Sequence, residues 1–486
     1  MGAAIEIVRG MRDVLPEALA SQQRIAAQID TTLASYGYRS VELPIIERRD
    51  LYLRKLGEEL VGKVYEFSFG GRELALRPEW TASVLRAYVD RMQDRPLPLR
   101  LRYTGPVFRY ERPQRGTYRQ FTQMGVELIG GTTPRADAEI IALACAGLHA
   151  AGITRYRIRI GHIGFIRALL AALQLTERTQ GELAWSLDRI RKEGSASVRE
   201  RLLTPASGLV GERLPDGVDD AAAEVLLLHA LREIGVNLRF GSRPPEAIVG
   251  RLVRKLRRED PLPRIERAIV LLEELATIAG APAQALAAAA AVLDAHDLPE
   301  TLLSELRGII ALLAAYDLPH EQIVLDFGLG RGLHYYTGMI FEIFAADDLQ
   351  ICGGGRYDDL VTTLGGSRTT PAVGFAYGLE RVVDAAGPHA DAERVEVLVV
   401  ATDDAAYAYA VQVAQQLRTR GYAAAIDVRG RSATGALRDA GRREVRFAAI
   451  VGPEDAARGT VLWRDLARHE ELRTTPAAVP PAGSAQ

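Results

Sequence analysis

Strand-forming sequence breaks off near residue 171 and resumes at 323. The interval is rich in Ala and Leu with Glu and Arg between them, as in LLEELATIAG, Ala287 to Ala291 and LLSELRGIIALLAAY. Apolar residues recur there at helical spacing, whereas the flanks carry short β-rich runs. A sheet begun before such an interruption and completed after it must carry the interval as a helical insertion. The 486 residues suggest about three domains. The expected partition is a first core segment over 1–170, the insertion over 171–320 and a second core segment over 321–390.

Within the first segment, EALASQQRIAAQIDTTLASYG reads as a helix stopped by Gly37, and YRSVELPIIE as a strand that Pro44 confines to an edge or interface. VYEFSF and ELALRP form a hairpin signal around Gly70 and Gly71, and TASVLRAYVDRM is helical. LRLRYTGPVFRYER and TYRQFTQMGVELIG are two strands joined by the polar turn PQRG, followed by the helix ADAEIIALACAGLHAAG. In the second segment the run Gly353 to Gly355 reads as a tight turn, and a helix is expected from near Gly374. Strand–helix alternation over 394–472 predicts a small α/β domain with a mostly parallel sheet. The tail 473–486, with TTPAAVPPAGSAQ, has the composition of disorder.

Sixty basic against 62 acidic residues give a net charge of -2, which excludes a polybasic protein but not a local basic face. Two cysteines without a CxxC exclude a disulfide framework and a cysteine zinc site. No protein cluster with metal-ligand spacing stands out, and His162 and His334 are too far apart in sequence to suggest a pair. No signal-peptide core or membrane-length apolar run is legible, so a soluble cytoplasmic protein is expected.

The densest polar constellation runs from Phe108 to Phe121, with four arginines within eleven residues. Strand alternation would put Arg109 and Glu111 on one face and Phe108 and Tyr110 on the other. Guanidinium forks suit phosphates, so the hairpin could hold a polyphosphate or a nucleic-acid end; a solvated, salt-bridged hairpin has the same composition. Gln123 and Glu127, four apart on the following strand, share a face and with Glu79 offer acceptors for an ammonium group. GLGRG at 328–332 does not fit GxGxxG, and no P-loop is present.

Taken in order, RGMRDVLP, GYRSVELPIIE, LALRPEWT, YTGPVFRYERPQRGTYRQFTQMGVELIG, GRGLHYYTGMIFE, CGGGRYDDL and VGFAYGLERV resemble the motifs of the histidyl-tRNA synthetases, a family of class II aminoacyl-tRNA synthetases. The resemblance covers about two thirds of the chain. It implies an α+β fold in which an antiparallel sheet is flanked by helices, with a C-terminal α/β domain similar to an anticodon-binding domain. It implies a histidine–tRNA ligase that takes histidine, ATP with Mg2+, and histidine tRNA, and that works as a homodimer with no membrane partner.

The resemblance also implies roles. Arg109 and Arg331 would be catalytic, on either side of the α-phosphate, with Arg109, Glu111, Arg119 and Arg381 binding ATP. Glu79, Thr81, Gln123, Glu127, Tyr335, Tyr336 and Tyr357 would bind histidine. Gln114, Arg115, Arg431, Arg438 and Arg442 are candidates for tRNA contact; the last three belong to a stretch, Arg429 to Arg446, with six arginines and two acids in eighteen residues.

Trp80 and His334 stand where the family usually has Gly and Asp. The insertion differs in size from the usual bacterial one, and GRSATGALRDAG lacks the lysines common in its family counterpart. IRIGHIGFIRALLAAL is similar to the paralogue that regulates ATP phosphoribosyltransferase. A non-catalytic, histidine-sensing subunit is therefore the alternative reading.

Overall fold

The structure, a computed structural model, describes the chain except residues 1–4, 54–60, 113–115, 204–219, 234–244, 246–248, 251–252, 254–259, 331–334, 388–394 and 483–486. It divides into two compact units, one of residues 1–13 and 24–388, the other of 14–23 and 389–486.

The larger unit is built on a nine-stranded sheet. Its centre is a run of antiparallel neighbours: Leu99–Phe108, Gln120–Ile129, Ala372–Gly378, Gln350–Arg356, Met339–Ala345 and Tyr156–His162. The first two pair without a bulge from Leu99 opposite Ile129 to Phe108 opposite Gln120. Arg39–Ser40 adds a two-residue parallel strand at one edge, just before the Pro44 bend. Ile323–Asp326 and Ala279–Gly280 complete the other edge.

Cross-strand neighbours share a face, and the two faces of this sheet differ in composition. On one, Ile160, Phe341, Gly354, Phe375 and Val126 form a row across five strands. That row is apolar because helix Arg135–Ala150 packs on it; the Tyr377 hydroxyl donates to the Ala144 carbonyl at 2.6 Å. On the other face the next row reads Leu101, Glu127, Gly374, Gly355 and Ile340. The three glycines Gly353 to Gly355 are therefore strand residues rather than a turn. Their missing side chains make room on a crowded sheet. Likewise Val373 and Gly374 belong to a strand, and the helix expected from there begins at Leu379.

Among the described residues the interval after residue 171 is helical apart from the edge strand Ala279–Gly280, and it does not stand apart from the sheet. Leu262–Ala276, Pro282–Ala295 and Ser304–Ala315 contribute Leu272, Leu293 and Leu313 to the same apolar core as the sheet residues Phe341 and Phe375. His162 ends its strand and caps helix Ile163–Ala172, its Nδ1 accepting from the Phe165 amide at 2.8 Å. A small sheet of Ile46–Arg48, Glu66–Phe69 and Arg72–Leu76 includes the hairpin at Gly70 and Gly71, whose φ values of 57° and 71° suit a two-residue turn.

Among its described residues the second unit is built on a five-stranded sheet. Ala424–Ile426, Val397–Ala401 and Phe447–Val451 are parallel, whereas Val461–Asp465 and Glu470–Thr474 continue the sheet antiparallel. The sheet is thus only half parallel, because the chain turns back after Phe447–Val451 through the short helix Pro453–Arg458 and then through a tight turn, each time into an adjacent antiparallel strand. Alternate residues of Val397–Ala401 pack on opposite sides: Val397 and Val399 with helix Tyr407–Thr419, Leu398 and Val400 with helix Ala433–Arg442. Of the segment 473–486, expected to be disordered, the described residues 473–482 are packed instead. Val479 is buried in that core, and the Pro480 carbonyl accepts from the Tyr422 hydroxyl at 2.9 Å. Pro476 opens a 3-10 turn, Pro476–Ala478, which delivers Val479 to the core that holds Val397 and Val399.

Candidate active site

The glycine-rich face of the large sheet carries the polar constellation. A Cβ at Gly374 would lie 2.0 Å from Glu127 Oε2 and 2.7 Å from the Tyr357 hydroxyl. One at Gly355 would meet the Tyr336 ring at 2.8 Å. Glycine is required here by close approach, since the carboxylate and both rings lie down on the sheet.

Glu127 is buried, and its Oε1 accepts from the Thr81 hydroxyl at 2.8 Å and the Tyr103 hydroxyl at 3.1 Å. Glu79, at the start of helix Thr81–Arg91, accepts from the Ala82 amide at 2.9 Å through Oε1. The remaining oxygens Glu79 Oε2 and Glu127 Oε2, with Gln123 Oε1 and the Tyr357 hydroxyl, are buried and have no hydrogen-bond partner among the described residues. Such groups are costly to leave unpaired. Burial raises the Glu127 carboxyl well above its ordinary range, and the charge of Glu79 adds to this against the opposing Thr81 and Tyr103 bonds. Glu79 is raised by burial too, although the Ala82 amide and Arg109 pull it back. Among the described residues, Arg109 acts on Glu79 and no cation acts on Glu127.

Tyr335, Tyr336 and Tyr357 form an aromatic wall, with ring centroids 4.8 to 6.4 Å apart. All three are buried. Upstream of the wall, the end of strand Ile323–Asp326 is braced. Asp326 pairs with Arg159 and, at 2.7 Å, with Arg191 of helix Glu177–Glu193, while its Oδ1 accepts from the Gly328 amide at 3.0 Å. Arg331 and His334 lie outside the described residues.

The arginines of the hairpin are arranged differently from strand alternation. The strand ends at Phe108, and the Glu111 amide turns back to the Arg109 carbonyl at 2.9 Å, so the expected two-face pattern over 108–111 does not apply. Arg109 Nε donates to the Pro78 carbonyl at 2.8 Å, immediately before Glu79. Arg119 lies 3.9 Å over the Tyr110 ring and donates to the Arg9 and Glu111 carbonyls. Glu111 faces Lys63 at 3.6 Å. Arg381 is held by three neutral acceptors, the Gly116 and Gln350 carbonyls and the Thr117 hydroxyl, and among the described residues no carboxylate pairs with it. Gln114 and Arg115 lie outside the described residues.

In the second unit Arg438 and Arg442 are exposed on helix Ala433–Arg442. Arg431 is not open in the same way. It pairs with Asp427 at 2.6 Å and Asp439 at 3.0 Å, because the loop folds over a buried aspartate. Among the described residues no group of three or more His, Cys, Asp or Glu side chains could hold a metal ion.

Some relevant residues escaped sequence reasoning. Tyr103 was hidden because nothing in its own strand marks it as polar; the register that places it opposite Gly125, beside Glu127, was the available signal. Arg191 and Asp326, 135 residues apart, left no sequence trace of their pairing.

A histidyl-tRNA synthetase family model matches residues 10–207 and 252–382, and an anticodon-binding-domain model matches 395–481. The chain belongs to the histidyl-tRNA synthetase family. Membership covers both units and leaves 208–251, inside the helical interval, unmatched. A histidine–tRNA ligase of Pyrobaculum calidifontis is 33% identical over 470 residues, 96% of this chain and 95% of its own. One of Archaeoglobus fulgidus is 32% identical over 96% of this chain and 97% of its own. Among solved structures, apo Staphylococcus aureus histidyl-tRNA synthetase aligns with a TM-score of 0.58 at 23% identity, covering 98% of each chain. A Bacillus halodurans protein titled ATP phosphoribosyltransferase regulatory subunit/histidyl-tRNA synthetase aligns with a TM-score of 0.65 at 23% identity, over 93% of this chain and 99% of its own. At those identities the two structures establish the family fold alone.

Proposed function

We propose that the chain is a histidine–tRNA ligase, forming histidyl-adenylate from histidine and ATP and transferring the histidyl group to the 3' end of histidine tRNA. The observation that carries this reading is the set of four buried, unpartnered polar atoms on Glu79, Gln123, Glu127 and Tyr357. Two carboxyls in need of a cation fit a substrate ammonium. The adjoining wall of Tyr335, Tyr336 and Tyr357 fits an imidazole, which stacks on rings and takes a hydrogen bond at its edge.

Arg109, anchored on the Pro78 carbonyl beside Glu79, is suited to the substrate carboxylate and the α-phosphate together. Glu111 and Arg119 would hold the rest of ATP. Arg381, whose charge meets only neutral acceptors, suits the γ-phosphate. Arg331 would face Arg109 across the α-phosphate. The substrate carboxylate is already an anion, so its oxygen attacks the α-phosphorus without a general base and pyrophosphate leaves. In the second step the terminal ribose hydroxyl of tRNA attacks the mixed anhydride and AMP departs. Catalysis here is positioning and charge stabilisation. Mg2+ would enter with ATP on the phosphate oxygens.

Arg438 and Arg442 are exposed and remain candidates for tRNA contact, with Arg431 serving the loop instead. A homodimer is supported by the short edge strand Arg39–Ser40 and by Ile45 and Ile46, 40% and 50% exposed beside it. No helix among the described residues is long and apolar enough to cross a membrane. A role in tRNA charging would place the protein in the cytoplasm. The ligase reading is favoured over a regulatory subunit by relatives named as ligases over nearly the full length. ATP–pyrophosphate exchange with and without histidine tests the proposal, followed by charging of histidine tRNA. Exchange that does not depend on histidine would refute it.

A further inference from the structure

Trp80, which departs from the family's usual glycine, is built into a stack beside the carboxylate site. The Arg77 guanidinium carbon lies 3.5 Å from the Trp80 ring centroid. Trp80 in turn stacks on Tyr103, with centroids 4.8 Å apart and planes 9° from parallel. Arg77 and Trp80 lie over Gly105, where a Cβ would come within 2.8 Å of both, and the Tyr103 hydroxyl end lies over Gly125. Arg77 is fixed to the backbone at three separate places, the Pro106 carbonyl at 2.8 Å, the Leu43 carbonyl at 3.0 Å and the Pro44 carbonyl at 3.5 Å. The indole N–H reaches the Gly105 carbonyl at 3.4 Å.

The end of this stack bears on Glu127. The Tyr103 hydroxyl and the Thr81 hydroxyl both donate to Oε1, at 3.1 and 2.8 Å. With Oε1 satisfied twice, Oε2 is the oxygen left unpartnered over Gly374. The orientation of the carboxylate therefore depends on where the Tyr103 ring is held. Its ring has no polar tether of its own except that hydroxyl, so the flat contact with Trp80 sets its tilt.

We infer that Trp80 is a positioning residue for the amino-acid substrate, holding Tyr103 against Glu127 Oε1 so that Oε2 is presented to the substrate ammonium. The inference rests on the reading of Glu127 as an ammonium ligand. It also gives the indole a second effect. Trp80 and Arg77 line an open cavity of about 520 Å3 together with Ser40, Leu43, Thr104 and Met124. Removing the indole would let water from that cavity reach the Tyr103 hydroxyl, which would then have a competing partner.

The test uses the full chain and histidine-dependent ATP–pyrophosphate exchange, with the KM for histidine, the KM for ATP and kcat measured separately. Trp80→Gly and Tyr103→Phe should each raise the histidine KM about five- to thirtyfold, the range for weakening a hydrogen bond to a charged group. The ATP KM should stay within about twofold, because a positioning effect on one ligand leaves uniform binding of the other unchanged. Trp80→Phe keeps a flat ring on Tyr103 and should recover most of the histidine KM. The double variant Trp80→Gly/Tyr103→Phe should be no worse than the more impaired single one, since both act through one contact. A histidine KM unchanged in Trp80→Gly, or histidine and ATP KM values rising by the same factor, would overturn the inference. So would multiplicative effects in the double variant. Should Trp80→Gly fail to fold in thermal unfolding, Trp80→Leu fills the space without a planar face and is expected to behave as the glycine variant was. Glu127→Gln separates the two levels. If it leaves the histidine KM unchanged, the ammonium reading falls and this inference with it; if it raises the KM while Trp80→Gly and Trp80→Leu do not, the inference alone fails.

Discussion

Replacing Glu127 by Gln should stabilise the empty protein and cripple it at once. Burial holds the Glu127 carboxyl well above its ordinary value of 4.5. A carboxyl whose folded pKa lies above its unfolded one adds stability in full below the ordinary value. That contribution disappears as pH rises through the raised one. Within that window the ligand-free protein loses up to about 1.4 kcal/mol per pH unit through this group. Glutamine keeps an oxygen for the Thr81 and Tyr103 hydroxyls but has no proton to lose. Its thermal midpoint should therefore fall less steeply with pH than that of the wild type across the same range. Histidine reverses the order. Its ammonium would pair with the ionised carboxylate, so binding releases protons and weakens as pH falls. Losing one partner of such a desolvated charge pair costs about 2–4 kcal/mol, or roughly thirty- to a thousandfold in histidine affinity. Thermal unfolding between pH 4.5 and 7, with and without histidine, measures both effects. Parallel pH profiles for the two proteins, together with histidine affinity within threefold of wild type, would refute the reasoning.

Arg331→Ala should slow histidine-dependent exchange by about a hundredfold or more while sparing histidine binding, the scale for losing one transition-state charge partner; an unimpaired variant would remove Arg331 from the mechanism. Gly374→Ala places a Cβ 2.0 Å from Glu127 Oε2 and 2.4 Å from the Val126 carbonyl, so it should lower both the thermal midpoint and histidine affinity. A variant with wild-type values would show that the glycine floor is not needed. Arg438→Glu with Arg442→Glu should weaken charging of histidine tRNA, most at low salt, and leave exchange unchanged. Equal charging would exclude this helix from tRNA contact. Arg431→Ala should lower the unfolding midpoint instead, because it leaves Asp427 buried and unpaired.

The sequence by itself determined the elements with strong local periodicity and the motifs carried on them. The pairing of Leu99–Phe108 with Gln120–Ile129, the helix Arg135–Ala150 and the interrupted sheet are consequences of apolar spacing and of glycines at turns, which act over a few residues. Gln123 and Glu127 were legible as one face because strand geometry repeats every second residue. What the local pattern could not decide was the role of residues whose partners are distant. Gly353 to Gly355 look like a turn until strands on both sides crowd them, and Tyr103 looks like ordinary strand filling until register sets it beside Glu127. Arg431 reads as a free cation in a basic stretch, yet tertiary folding spends it on Asp427. Beyond Phe108 the alternation fails because the strand ends there and the Glu111 amide turns back to the Arg109 carbonyl. The unpartnered oxygens of Glu79 and Glu127 are likewise a property of the packed state. A carboxylate in a sequence is assumed to be solvated, and only the burial imposed by the sheet and helix Thr81–Arg91 turns two of them into a site that needs a cation.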